Sequence, residues 1–369
     1  MPSIAAERAL AGAVKDMLPL KGTIAAPMPP HVREAVMAAL DEHAVTPSSR
    51  GHPALREAIA RSLPAPADPE REILVTNGAM HALSLTFRAL LEPGDEVIVP
   101  TPCYFFAGLI ERAGGVFVPV PGREEDGWRW DPAAIERAVT PRSRVLVLTN
   151  PNNPTGYLPT RAEIDELLAV ASRHGLKVIA DEAYERCLHE GELASAWGAP
   201  NVILIRSLGK SLAMPAWRLG FVAGEASVVD ACLQELEWDV IRINYVGQRA
   251  ATAALEGPED WLNELAERYR RDRDAAHAVI AEHSILSAAL PAATPFLWLN
   301  LGGLPAENLL AAGVAVVDGA AFGARGYARL AFAGAAEVPG ELRRRLGLAA
   351  SCSGGELGQV MRSSDPSTR

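Results

Sequence analysis

Residues 201–220 read NVILIRSLGKSLAMPAWRLG, and the fold turns on how this stretch is divided. The run 201–206, rich in Val, Ile and Leu, reads as a buried strand that stops abruptly at Ser207, Leu208, Gly209 and Lys210. Arg218 follows eight residues later, just before a second apolar run, LGFVA at 219–223. At the carboxyl end of a strand in an open α/β sheet, side chains enter the crevice where such folds bind ligands. A lysine there, partly removed from water, is a nucleophile able to form a Schiff base with a carbonyl. Taken alone, a lysine after a strand is more often a solvated loop residue, so its neighbours decide.

Working outward, the same grammar repeats. Strand-like runs stand at 72–77 (EILVTN), 95–100 (DEVIVP), 116–120 (VFVPV), 144–149 (RVLVLT) and 177–181 (KVIAD). With the two runs above they make seven. Helical patterns such as AMHALSLTFRALL (79–91) and RAEIDELLAVASRHG (161–175) separate several of them. Short apolar strands alternating with helices predict an α/β fold with a mostly parallel seven-stranded sheet sandwiched by helices. Past Gly224 the strand signal fades into one long helical pattern, 261–283, with a charged face. A second, smaller set of strands follows at 296–302, 312–319 and 327–333. The expected division is a large domain over 46–255, a small α+β domain from 1–45 with 256–350, and a disordered polar tail over 351–369.

Composition narrows the function classes. The 369 residues are 49% hydrophobic and 22% charged, ordinary for a globular protein of two domains. A net charge of -10 argues against nucleic acid or an anionic membrane as the main partner. The first residues lack the continuous apolar core of a signal peptide, and no run is apolar long enough to span a bilayer, so a cytoplasmic protein is expected. Cys103, Cys187, Cys232 and Cys352 lack metal-ligand spacing and read as reduced thiols; no metal site is expected.

Four further sites fall at or just beyond predicted strand ends. TNGAMHAL (76–83) is a strand end, a glycine and a helix start, whose free amides at Gly78, Ala79 and Met80 suit a phosphate. It is not GxGxxG, which disfavours a dinucleotide fold. PTPCY (100–104) places Tyr104 past a strand, where its ring could stack on a flat ligand or fill the core. NPNNPTG (150–156) is a rigid turn that would fix the amide of Asn153. Asp181 ends an otherwise apolar strand, which is costly without a cationic partner, and Tyr184 follows it.

Together DEAY (181–184), SLGK with Arg218, and NNPTG resemble the fold-type I pyridoxal-phosphate enzymes, specifically the class I and II aminotransferases related to aspartate aminotransferase. The ordered set runs from about Gly22 to Phe332. The resemblance implies pyridoxal 5′-phosphate bound as a Schiff base on Lys210, which then shuttles the proton at the substrate α carbon. It implies that Asp181 pairs with the ring nitrogen, Tyr184 and Asn153 with the phenolic oxygen, and that Tyr104 stacks on the ring. The phosphate would sit on Gly78, Ala79 and Met80 with Ser207 and Arg218. Gly22, Asn153 and Arg329 would face the substrate, Arg329 gripping its α-carboxylate. The family's partners are an amino acid and a keto acid, with a homodimer whose active site lies at the interface.

This chain also departs from the family. No tyrosine precedes Tyr104, so the one that a partner subunit usually sends to the phosphate is replaced by Val45 or Thr46. The GEPD-like turn reads Gly22, Thr23, Ile24, Ala25, and a frequent glycine is Ala216. Amino-group transfer through the pyridoxamine form of the cofactor is the expected function. A lyase, cyclase or oxidase on the same fold is the alternative, and a non-catalytic cofactor-binding sensor a third; the latter would want an effector module, and none is visible. Thr23, Trp217, Arg242, Asn244 and Phe296 are candidates for the substrate side-chain pocket.

Overall fold

The structure, a computed structural model, describes residues 17–24, 26–42 and 45–351. The helical pattern at the very start, Cys352 and the polar tail from 352 onward lie outside the described residues. All seven predicted runs become strands of one sheet: β1 Ile73–Thr76, β2 Glu96–Thr101, β3 Val116–Pro121, β4 Ser143–Thr149, β5 Lys177–Asp181, β6 Val202–Arg206 and β7 Gly220–Ala223. Their order is β1-β7-β6-β5-β4-β2-β3. The neighbours from β3 through β6 run parallel, and β7 alone is antiparallel to both its neighbours. Strands β1, β2, β6 and β7 are buried at every residue, which is why they read as apolar runs with polar residues only at their ends. Edge strand β3 carries Pro119 and Pro121 and is largely exposed, a usual way of blunting a free edge.

Helices cover the sheet with faces that the sequence spaces three and four apart. The helix Arg161–Arg173 buries Ile164, Leu167, Val170 and Ala171, and Thr160 with Glu163 closes a capping box at its start. The Thr160 N–H donates to Glu163 Oε2 at 2.7 Å, and Thr160 Oγ1 accepts from the Glu163 N–H at 3.3 Å.

The reversal of β7 positions the site. Because β7 runs against its neighbours, its first residue, Gly220, lies opposite Thr76, the last residue of β1. The segment carrying Arg218 therefore arrives at the edge where β1, β5 and β6 end. The approach leaves no room for a side chain: a Cβ on Gly220 would stand 2.7 Å from the Arg206 carbonyl oxygen and 2.8 Å from Ala79 N. Gly220→Ala is expected to cost about 1–3 kcal/mol through overpacking against backbone that cannot yield. Urea unfolding would register this as a lower midpoint; an unchanged midpoint would show that the strand ends can separate freely.

The second sheet is antiparallel, in the order β8-β10-β9, with β8 Phe296–Asn300, β9 Val316–Asp318 and β10 Tyr327–Ala331. The long predicted helix forms as Asp260–Ala281. Its Leu262 belongs to the core around the seven-stranded sheet, whereas Leu265, Tyr269, Ala276, Val279 and Ile280 belong to a separate core around the three-stranded sheet. One helix thus fastens both cores. The Tyr269 hydroxyl also accepts from the Ile24 N–H at 2.9 Å, and Lys21 exchanges backbone hydrogen bonds with Ala333. These contacts lay the segment around Gly22 across the mouth of the crevice.

Candidate active site

At one end of the crevice the helix Ala79–Leu90 begins without a side-chain cap. Gly78 precedes it at φ 83°, a left-handed conformation that glycine adopts at least cost. Among the described residues, nothing accepts from the amides of Gly78, Ala79 and Met80. Arg218 lies over this turn: its Nη2 is 3.0 Å from where a Cβ on Gly78 would stand. Three free amides, the helix dipole and a guanidinium make a cradle for a phosphate. Ser207, buried at the end of β6, completes this edge; its carbonyl accepts from the Lys210 and Ser211 N–H groups at 2.9 and 3.0 Å. That turn gives the lysine its direction.

Sequence reasoning missed the brace beneath the cradle. His81 Nδ1 accepts from the Asn77 N–H at 3.1 Å, and Nε2 faces Asp239 Oδ2 at 3.3 Å. Arg88 holds the same carboxylate at 2.6 Å. Burial lowers the His81 pKa, which suits a neutral ring accepting at Nδ1. Only the placement of His81 one turn into the helix hinted at this, since Asp239 is distant in sequence.

In the middle of the crevice stands Asp181, 5% exposed at the end of β5. Its carboxylate accepts one hydrogen bond, from the Ala183 N–H at 3.1 Å, and forms no ion pair among the described residues. Burial pushes its carboxyl up to about 7, with Glu182 and Glu185 adding to the rise. The adjacent Glu182, fully buried, has what Asp181 lacks: Arg206 at 2.7 Å, with Ser195 and the Ala196 N–H on its other oxygen. This pair, which sequence reasoning also missed, anchors β5 to β6 behind the site. Lys210 Nζ lies 5.3 Å from the centre of the Tyr184 ring and 3.5 Å from Thr23 Oγ1. Tyr184 in turn meets Phe296 edge-on at 5.6 Å.

At the far end β10 delivers Arg329, 8% exposed, whose Nη1 donates to Asn153 Oδ1 at 3.0 Å. Its guanidinium lies over two rings, Phe296 at 4.2 Å and Phe322 at 4.9 Å. The NPNNPTG turn divides its labour. Asn152 organises the turn itself, its Oδ1 accepting from Thr155 and its Nδ2 donating to the Pro102 carbonyl, which leaves Asn153 to face Arg329. Gly22 passes close to Phe296; a Cβ on it would lie 3.2 Å from that ring. Tyr104 packs beside Phe105 at 4.7 Å between ring centres, half-buried at the crevice wall.

Of the five side-chain pocket candidates, Thr23 and Phe296 stand in the crevice. Asn244 is used elsewhere. Its Oδ1 caps the helix Tyr245–Glu256 by accepting from the Gly247 N–H at 2.6 Å, and its Nδ2 donates to the Trp217 carbonyl. Arg242 is exposed on the loop before that helix. Among the described residues no three side chains cluster as metal ligands, and no helix is long and apolar enough to cross a membrane.

The chemistry of this donor set is specific. A cradle of free amides under a guanidinium asks for a phosphate, a buried carboxylate without a cation among the described residues asks for a protonated ring nitrogen, and an amine on the turn after the neighbouring strand asks for a carbonyl. Pyridoxal 5′-phosphate carries all three groups, and the residues present fit it. Residues 19–345 match the family model for aminotransferase class I and II. The chain is 34% identical to the aspartate/prephenate aminotransferase of Thermus thermophilus, over 83% of each chain. It is 35% identical to an arginine–pyruvate transaminase of Pseudomonas aeruginosa, over 84% of this chain and 83% of that one. Its fold superposes on the aspartate aminotransferase of Thermus thermophilus with a TM-score of 0.87, at 32% identity, over 95% of this chain and 96% of that one. The protein therefore belongs to the class I and II aminotransferases, fold-type I enzymes that use pyridoxal 5′-phosphate to move amino groups between amino and keto acids.

Proposed function

We propose that amino-group transfer from an α-amino acid is carried out here by Lys210, Asp181 and Tyr184, with Arg329 and Asn153 orienting the substrate. The observation that carries this reading is the buried Asp181 carboxylate, without an ion-pair partner among the described residues, at the end of β5, the strand next to β6, which ends four residues before Lys210. When bound, the cofactor supplies an electron-withdrawing ring that accepts the electron pair released at the substrate α carbon. Asp181 would pair with the ring nitrogen and keep it protonated. Lys210 Nζ would take the proton from the substrate α carbon and deliver it to the cofactor carbon that carried the aldehyde, which leaves the α carbon as the keto carbon of the product. Arg329, fixed by Asn153 and two aromatic faces, holds the α-carboxylate and so orients the bond to be broken. Tyr184 and Tyr104 shape the space around the ring, Ser207 and Arg218 complete the phosphate site, and Gly22 borders the substrate.

Assembly and location belong to the same proposal. A homodimer would cover the exposed apolar side chains Met37, Leu40, Trp238 and Ile241. Val45, 46% exposed, and Thr46 stand where the family's partner-directed tyrosine is missing. Two separate cores support a division into a large domain over 46–255 and a small one from 1–45 with 256–350, except that Val32 and Leu262 pack in the core of the large sheet. Cytoplasmic residence suits the free thiols Cys103, Cys187 and Cys232.

Single-turnover mixing of holoenzyme with an amino acid and no keto acid should release that amino acid's keto acid without ammonia. Ammonia release would favour elimination instead. In the same assay Arg329→Ala should lose roughly 30-fold to several thousandfold in kcat/KM, the range for truncating a buried, hydrogen-bonded charge partner. An unchanged value would remove Arg329 from the substrate site.

A further inference from the structure

A groove of about 530 Å³ opens beside the cradle, within the range of roughly 300–1,000 Å³ usual for small-molecule sites. Two of its walls belong to the site already described: Met80, whose amide faces the phosphate position, and Tyr104. The opposite wall is Phe322, whose other surroundings include the Arg329 guanidinium at 4.9 Å and Phe105, stacked at 5.2 Å. The Cys103 N–H donates to the Phe322 carbonyl at 3.1 Å and ties the two walls together. Leu109 and Phe117 close the far side. Phe322 is thus common to the groove and to the surroundings of the guanidinium that would grip the α-carboxylate.

The charged side chains that line it are Glu111 and Arg112, both exposed and opposite in sign. A second carboxylate or an ammonium entering the groove would lose hydration without meeting a buried counter-charge among the described residues. An aryl or alkyl side chain would meet aromatic and aliphatic walls throughout.

Resting on the aminotransferase reading of the site, we propose that this groove receives the substrate side chain and selects an uncharged aromatic or aliphatic α-amino acid over a dicarboxylic or basic one. Phe322 and Phe117 are then specificity-determining residues, and the Arg329 end of the site serves only the α-carboxylate.

The test compares single-turnover kcat/KM of the holoenzyme for phenylalanine, leucine, alanine, aspartate and arginine. Phenylalanine or leucine is expected to exceed aspartate and arginine by at least about a hundredfold, as a site without a charge partner demands. Phe117→Arg, or Leu109→Arg if the first fails to fold, places a cation in the groove outside the catalytic machinery. Either variant should narrow the phenylalanine-to-aspartate ratio at least about tenfold while turnover of alanine, too short to reach, persists. In parallel, 3-phenylpropionate and succinate are titrated against the bound cofactor's absorbance, and 3-phenylpropionate should bind more tightly. Aspartate equalling phenylalanine, an unmoved ratio in the variants, or equal or tighter succinate binding would each overturn the proposal. If no amino acid loses its amino group, the aminotransferase reading fails, and the inhibitor titration still decides what the groove prefers.

Discussion

Lys210→Ala is expected to abolish covalent cofactor attachment and to reduce turnover by at least about four orders of magnitude, because one amine supplies both nucleophilic and acid–base catalysis. The fold should survive the change. Lys210 is half-buried, in a one-turn helix whose backbone bonds to Ser207 and Leu208 do not involve its side chain. Borohydride reduction followed by peptide mapping separates the outcomes. In the wild type the reduced adduct should map to Lys210, and in the variant no lysine should carry it. An adduct on another lysine would sink the assignment. The phosphate cradle makes a second reading available: its groups are Gly78, Ala79, Met80 and Arg218 rather than Lys210, so the variant should still bind the cofactor noncovalently, detectable by its absorbance after gel filtration.

How much of this is legible from sequence depends on the distance over which each residue's partner lies. The seven strands announce themselves because a strand buried on both faces is apolar along most of its length, and β1, β2, β6 and β7 are so apart from Thr76, Glu96, Thr101 and Arg206 at their ends. Lys210, Asp181 and the Gly78 turn are readable because strand ends in such a sheet point to one crevice. The reversal of β7 is not, since a short apolar run carries no sign of its direction; yet that reversal brings Arg218 to Gly78. Contacts between remote segments are equally silent. The braces His81–Asp239 and Glu182–Arg206 and the pairing of Arg329 with Asn153 span 158, 24 and 176 positions. Asn244 shows the converse: a polar residue before a helix invites a pocket role, and in the fold its side-chain oxygen caps that helix, the commoner use of asparagine there.

Asp181→Asn should lower turnover roughly 10²–10³-fold, the scale on which removing one preorganised electrostatic group slows an enzyme, and it should also change how the cofactor-free protein responds to pH. In the folded chain burial raises the Asp181 pKa from 3.8 to about 7. The folded state therefore holds the proton more tightly than the unfolded state, so the favourable contribution is present at low pH and is lost as pH rises through 7. Between pH 5 and 8 the cofactor-free wild type should lose about 3 kcal/mol of stability from this group alone, while the asparagine variant, with nothing to ionise, should not. Urea midpoints of the two apoproteins at pH 5 and pH 8 measure the difference. Supplying the cofactor should reverse the trend in the wild type, because a cation beside the carboxylate makes its ionised form the stable one. Parallel pH dependence of the two apoproteins would mean that Asp181 is solvated enough to need no partner, and the role given to it at the ring nitrogen would fall with that result.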